Sequence, residues 1–226
     1  DEVRVWEDVA LTQANIQAWM HKPLDNSHPN YSDLAVYFQM NSNSISGTTL
    51  LDVSGNSNNA QLFNTSGISN AISNVPVADL ISSYQTDIEG IWTSSGTSDS
   101  EASDGLSMSV SSALAEANFV IFGNNNDNTG TTSSSLSGIS LRSKREWNFD
   151  EKGTVIADIK IDISDATAHS GSVSAASNYK LLFKTCEFCT FSEVETGESA
   201  SGDVITFSSV AIQDGIYSIA SADSNL

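Results

Sequence analysis

The chain has 226 residues, enough for one large β-domain or two small ones. Lys and Arg number 9 against 28 Asp and Glu, a formal charge of −19 that repels phosphate backbones and anionic lipid headgroups, so neither nucleic-acid binding nor membrane insertion is expected. Charged residues make up only 16% of the chain, and Ser, Thr, Asn and Gly supply the remaining polarity, which suits an extracellular β-protein better than a cytoplasmic enzyme.

The first segment reads as strand, short helix, strand and turn-rich loop. Side chains alternate along a strand, so Val3 and Val5 share one face of residues 1–6 while Glu2, Arg4 and Trp6 take the other. Thr12 is a helix N-cap ahead of QANIQAWM, with Leu11 and Ile16 at hydrophobic-staple spacing and Pro23 as the stop. Leu34, Val36 and Phe38 alternate with Ala35, Tyr37 and Gln39, a second strand. Asp52-Val-Ser-Gly-Asn is a turn in which Gly55 or Asn56 takes a positive φ.

The ordered blocks EVRVW, TQANIQAWMHKPL, DLAVYFQMN and SGTTLLDVSGNSNNAQL resemble a passage of large bacterial surface proteins, especially of Bacteroidota. The passage is similar to the end of a laminin-G-like (concanavalin-type) jelly roll and its exit segment, and the resemblance makes EVRVW the last strand of that jelly roll. Such a fold needs about a dozen strands before it, and this chain carries none of them. A lone strand can neither satisfy its backbone groups nor bury Val3 and Val5. It is therefore expected to pair with the rest of this chain, with residues beyond it, or with another copy, and Val3, Val5 and Trp6 are the candidate subunit contacts.

Residues 63–104 read as a connector packed on the main domain, with 93–103 and 124–135 as loops by composition. Strands are expected over 105–110, 118–123, 145–150, 154–163, 179–184, 203–207 and 215–220. The run NFVIFG is continuously apolar, the mark of a central strand, whereas Trp147 and Phe149 share one face, as do Ile159, Ile161 and Ile163. Short strands separated by Gly, Asn and Ser turns, with one short N-terminal helix, predict a mainly β antiparallel sandwich of jelly-roll or Ig-like type. The domains are then 1–62, with 1–8 as a donated strand, the 63–104 connector, and a 105–226 sandwich. The blocks VIFGNNN, REWNFD with Gly153-Thr154, and DGIYSI resemble a β-domain recurrent in Bacteroidota surface and adhesin-like proteins, and that resemblance implies surface display and no defined chemistry.

The chemistry-bearing residues are few. Cys186 and Cys189 stand as C-x-x-C. Structural zinc needs two more ligands, and His21, His28 and His169 are far off in sequence. A thioredoxin-like site needs a βαβ context that 183–191 does not offer. A local disulfide in an oxidising compartment is the third reading. No nucleophile elbow, HExxH or phosphate-binding loop occurs. Asp158 and Asp162 share a strand face, but Lys160 between them argues against a glycosidase pair, and no enzyme activity is expected. Calcium is the one ion the acidic turns suggest, with Asp52 in one turn and Asn124, Asn126 and Asn128 imitating the first ligands of an EF loop, although Thr129 and Ser135 stand where Gly and Glu belong; the other reading of both is a polar turn that bonds its own backbone, and no cofactor is expected. Trp6, Trp19, Trp92 and Trp147 either fill cores or stack on sugars. The expectation is an extracellular structural or adhesive module at the bacterial cell surface that self-assembles through its N-terminal strand, with a glycan-binding adhesin module as the alternative.

Overall fold

The computed structural model describes residues 2–40, 45–63, 76–93, 95–101, 104–115, 118–127 and 130–226. Asn128 and the connector residues 64–75 lie outside them. The protein is mainly β, 42% strand and 10% helix, with antiparallel sheets stacked as a sandwich. It divides into two compact units, Asp1–Ser73 and Asn74–Leu226.

The first unit holds β1 (Val3–Trp6), α1 (Gln13–Trp19), β2 (Leu34–Phe38), β3 (Ile45–Ser46), β4 (Thr49–Leu50) and β5 (Ala60–Gln61). Thr12 caps α1 as expected, its hydroxyl accepting from the Asn15 N–H at 3.1 Å. Ile16, the proposed staple residue, is instead exposed. β1 pairs antiparallel with β2, with Val3 opposite Phe38 and Val5 opposite Val36. Trp6 packs with Trp19, Leu24, Leu34 and Tyr37 in a small core. A core of this size needs polar staples. The Arg4 guanidinium donates to the Trp19 and Lys22 carbonyls at 2.6 and 2.7 Å, which closes the C-terminal end of α1, and it pairs with Glu2 at 2.8 Å. Tyr37 Oη donates to Glu2 at 2.5 Å.

The second unit starts before the predicted sandwich boundary. It holds β6 (Thr86–Trp92), β7 (Ser98–Glu101), β8 (Leu106–Val110), β9 (Phe119–Asn124), β10 (Thr131–Ser133), β11 (Leu141–Ser143), β12 (Trp147–Lys152), β13 (Ile156–Asp162), α2 (Ile163–Thr167), β14 (Tyr179–Lys184), β15 (Ser192–Thr196), β16 (Ser199–Ser201), β17 (Val204–Ala211) and β18 (Gly215–Ser221). One sheet has eight strands and centres on β18, which pairs with β14 on one edge and with β11 and β12 on the other. It continues through β9 to β6. The facing sheet runs β16-β17-β13-β8-β7. Leu106, Met108, Ile159, Ile161, Ile205 and Phe207 from the second sheet meet Val120, Phe122, Trp147, Phe149, Leu181 and Tyr217 from the first.

β9 is covered on both faces, which explains its unbroken apolar run. Val120 and Phe122 enter the main core, while Ile121 packs with Ala78 and Leu80 of the segment before β6. Three expectations change. Residues 98–101, predicted as loop, form β7, because main-chain pairing with β8 holds four polar residues (SDSE) that periodicity cannot recognise. Thr131–Ser133 likewise forms β10 by pairing with β11. Ile163 leaves the strand and opens α2, which the Asp162 carboxylate caps by accepting from the Ser164 and Asp165 N–H groups.

His28 makes the first unit sensitive to acid. Its ring lies 4.9 Å from that of Trp19 and 5.5 Å from that of Trp6, and its Nδ1 accepts from the Asn30 N–H at 3.0 Å. Burial, then the charges of Arg4 and Lys22, hold its pKa below the ordinary value. The unfolded chain takes up this proton near pH ~6.5 and the folded chain resists it, so His28 removes stability as pH falls below about 6.5. An imidazole NMR titration is expected to give a midpoint below that value. A midpoint at or above it contradicts the assignment.

Candidate functional site

Strand edges are the natural binding elements of a β-protein, and the two edges of the β1–β2 sheet differ. The outer edge of β2 is closed by a loop rather than a strand. The Tyr37 N–H donates to Asp52 Oδ1 at 2.9 Å and the Val53 N–H returns to the Tyr37 carbonyl at 2.9 Å. Asn56 Nδ2 donates to the Leu34 carbonyl at 2.6 Å, and Asn58 Nδ2 to that of Ala35 at 3.0 Å. Ala35 is the residue skipped where the β1–β2 register shifts, so side-chain amides serve carbonyls that the bulge turns aside. Within the turn Gly55 has φ +94° and Ser57 φ +61°. The expected positive φ thus falls on Gly55, and Ser57 takes the second one instead of Asn56.

This geometry decides the role of Asp52. Its carboxylate also accepts from the Ser54 and Asn58 N–H groups at 2.9 Å each. Burial raises its pKa, but the donations from Tyr37, Ser54 and Asn58 outweigh that and hold it below the ordinary range. Its oxygens are thus committed to N–H donors, and the turn is a structural hub. Asn124, fully buried, donates its Nδ2 to Asp104 at 2.9 Å and accepts from the Asn126 N–H at 2.7 Å through its Oδ1. Asn126 has φ +55°. Among the described residues no group of three or more His, Cys, Asp or Glu is arranged to hold a metal. An open cleft of about 410 Å³ lined by Glu7, Asp8, Asp33, Asn56 and Asn58 lies at the end of the β1–β2 pair.

β1 is different. Its sheet has two strands, so among the described residues no strand pairs with its outer edge. Val3 and Val5 are 39% and 47% exposed, and with the half-buried Phe38 and Val36 opposite them they form a small apolar face. Trp6, the third candidate contact, points the other way into the Trp19 and Tyr37 core, so it leaves the set. The remaining tryptophans sit in or against cores: Trp147 is fully buried, Trp19 lies in the first unit's core, and Trp92 is half-buried beside Ile121.

A second exposed feature is the β14–β15 hairpin tip. Cys186 and Cys189 form a disulfide there, with the Cys189 N–H donating to the Cys186 carbonyl at 3.0 Å. Phe188, inside this ring, is 93% exposed. The hairpin is rooted in a buried ionic knot: Lys184 Nζ meets Glu146 at 2.8 Å, Arg142 meets Glu146 at 2.7 Å, and Tyr84 Oη donates to Glu146 at 2.6 Å. Both cations also lie over the Phe191 ring.

Sequence reasoning missed one cluster altogether. Asp87 and Glu89 on β6 face Asp99 of β7 and Asp104 of the turn into β8, with Arg145 paired to Asp104. The i, i+2 spacing of Asp87 and Glu89 was the available signal, but β7 was not legible and so no partner was in view. The acids that the sequence did single out serve the fold. Asp158 accepts from the Ser209 N–H at 2.8 Å, and Asp162 caps α2.

Residues 79–216 match the family described as Domain of unknown function (DUF8202). The chain belongs to this family. The DUF8202 span takes in β6 through the first residues of β18, so every strand pair of the sandwich described above falls within it or at its edge. No curated protein and no solved structure matches the chain.

The hairpin separates tip from root. Replacing Cys186 and Cys189 by Ser should lower stability by at most about 2 kcal/mol, because the closed loop is short. Replacing Glu146 by Ala should cost about 3–5 kcal/mol, because Lys184 is then buried without its counter-charge. Urea unfolding of the two variants measures the contrast, and equal losses contradict it.

Proposed function

We propose that this protein is an extracellular structural and adhesive surface module that self-associates through the open edge of β1. The observation that carries this reading is the asymmetry of the β1–β2 sheet. A side-chain loop closes the β2 edge, whereas among the described residues no strand pairs with the outer edge of β1, which carries the exposed pair Val3 and Val5. Strand addition at such an edge supplies main-chain hydrogen bonds and sets register through alternating side chains. The resemblances to bacterial surface proteins, the acidic Ser- and Asn-rich composition and the exposed disulfide support an extracellular setting.

The geometry favours β1 as an acceptor over β1 as a donated strand. Donation would break the Arg4 bonds to Trp19 and Lys22 and remove Trp6 from its core. Edge addition leaves them in place. Two β1 strands meeting antiparallel about a twofold axis close as a dimer, whereas β1 meeting a different edge of the next copy propagates a filament.

Val3 and Val5 can be replaced by Lys without touching the core, and charge on an edge strand blocks pairing. The Val3→Lys/Val5→Lys protein should remain monomeric at concentrations about tenfold above those at which the parent chain associates. Sedimentation velocity and electron microscopy read this outcome. Unchanged assemblies in the double variant, or a parent chain monomeric throughout, overturn the reading.

A further inference from the structure

The β14–β15 hairpin holds its turn without help from the Cys186–Cys189 bridge. Phe183 pairs with Ser192 at the last rung of the hairpin. Beyond that rung the Lys184 ammonium donates to the Glu187 carbonyl at 2.9 Å, and the Ser83 hydroxyl donates to the Glu187 carboxylate at 2.8 Å. The Cys189 N–H closes the turn on the Cys186 carbonyl at 3.0 Å. These bonds hold residues 186–189 in place whether or not the sulfurs are joined, and so short a loop gains little chain entropy from the bridge.

The two sulfurs differ in their surroundings. Cys186 is exposed, whereas Cys189 is half-buried, and the Thr185 hydroxyl donates to Cys189 Sγ at 3.6 Å. A thiolate breaks a disulfide by attacking the sulfur it can reach and expelling the other, and it does so faster when the departing thiolate is stabilised. Cys186 is therefore the sulfur attacked and Cys189 the one that leaves. The bond from Thr185 strengthens as Cys189 gains charge. Lys184 is not the stabilising group, because its own charge is met by Glu146 at 2.8 Å.

We propose that the Cys186–Cys189 bridge is a thiol–disulfide exchange site, which joins cysteine thiols of other polypeptides to Cys186 as mixed disulfides. The incoming thiolate forms a bond to Cys186 Sγ, the Cys186–Cys189 bond breaks, and its electron pair passes to Cys189 Sγ, which takes a proton from water. A second thiol on the same partner can then attack the partner's sulfur in the mixed disulfide and expel Cys186. The partner is thereby oxidised to a disulfide, and this chain is reduced by two electrons to the dithiol. One bridge serves one such event.

The ring selects the source of the thiol. Phe188 lies between the two cysteines and is 93% exposed, so a cysteine flanked by apolar side chains covers that ring as it reaches Cys186. Glu187 sits in the same loop, and the whole chain carries a formal charge of −19, which disfavours the approach of a small anionic thiol such as glutathione. This site is separate from the β1 edge and does not depend on it.

Acid-quenched mass spectrometry of the full chain tests the site, with the neutral peptide acetyl-Leu-Cys-Leu-amide and reduced glutathione as thiol probes. At early times the peptide should be found on Cys186 in at least about tenfold excess over Cys189. It should react at least about fivefold faster than glutathione at equal thiolate concentration. Thr185→Val should slow both probes about three- to tenfold by removing the bond to the departing sulfur. Phe188→Ser should slow the peptide alone. Thr185 and Phe188 are both exposed, and the mapping on the parent chain needs no variant. A bridge that neither probe opens, equal attack on the two sulfurs, or an unchanged rate in Thr185→Val overturns the proposal. Glutathione reacting as fast as the peptide overturns the assignment to polypeptide thiols.

Discussion

The structure depends on how the ends of its sheets are closed. Every strand pair leaves backbone donors and acceptors on its outer flanks, and those groups must find partners or water. The chain answers differently at each place. At β2, asparagine amides and the Asp52 carboxylate stand in for a third strand. At β6 and β7, the Asp99 carboxylate accepts from the Gly90 N–H at 3.0 Å and so ties two sheets together. At β1, among the described residues, no third strand covers the flank, and the functional reading rests on that flank.

The acidity of the chain acquires a structural sense in this light. Asp52 and Asp162 accept N–H groups that no strand or helix partner reaches, and Asp99 does the same at the sandwich edge. A carboxylate is a strong acceptor for orphaned backbone donors, so part of the negative charge belongs to architecture. His28 is a separate case in the first unit, where burial and then the charges of Arg4 and Lys22 hold it below its ordinary value.

Much of the fold is legible from alternation and apolar runs. NFVIFG is a doubly covered strand, Trp147 and Phe149 share a core face, and Thr12 caps its helix. The same logic fails for SDSE at 98–101 and TTS at 131–133, because main-chain pairing builds strands from polar residues whose side chains bury little. It fails again for Trp6. The alternation placed it correctly opposite Val3 and Val5, but which face was the outer one depended on where α1 and Tyr37 came to rest.

The mainly β class, the turn at Gly55, the cap at Thr12 and a cysteine pair spaced for a local bridge are all written in the linear order of residues. All of these rest on contacts within a few residues or on a regular period. The packing of the sheets settled that β1 pairs with β2 with no third strand on its other side among the described residues, and that the Asp52 carboxylate accepts backbone N–H groups across its turn. It also brought four acids from β6, β7 and the turn into β8 together at one edge. Those outcomes join residues distant in the chain, and their proximity follows from the stacking of the sheets, which no local pattern encodes.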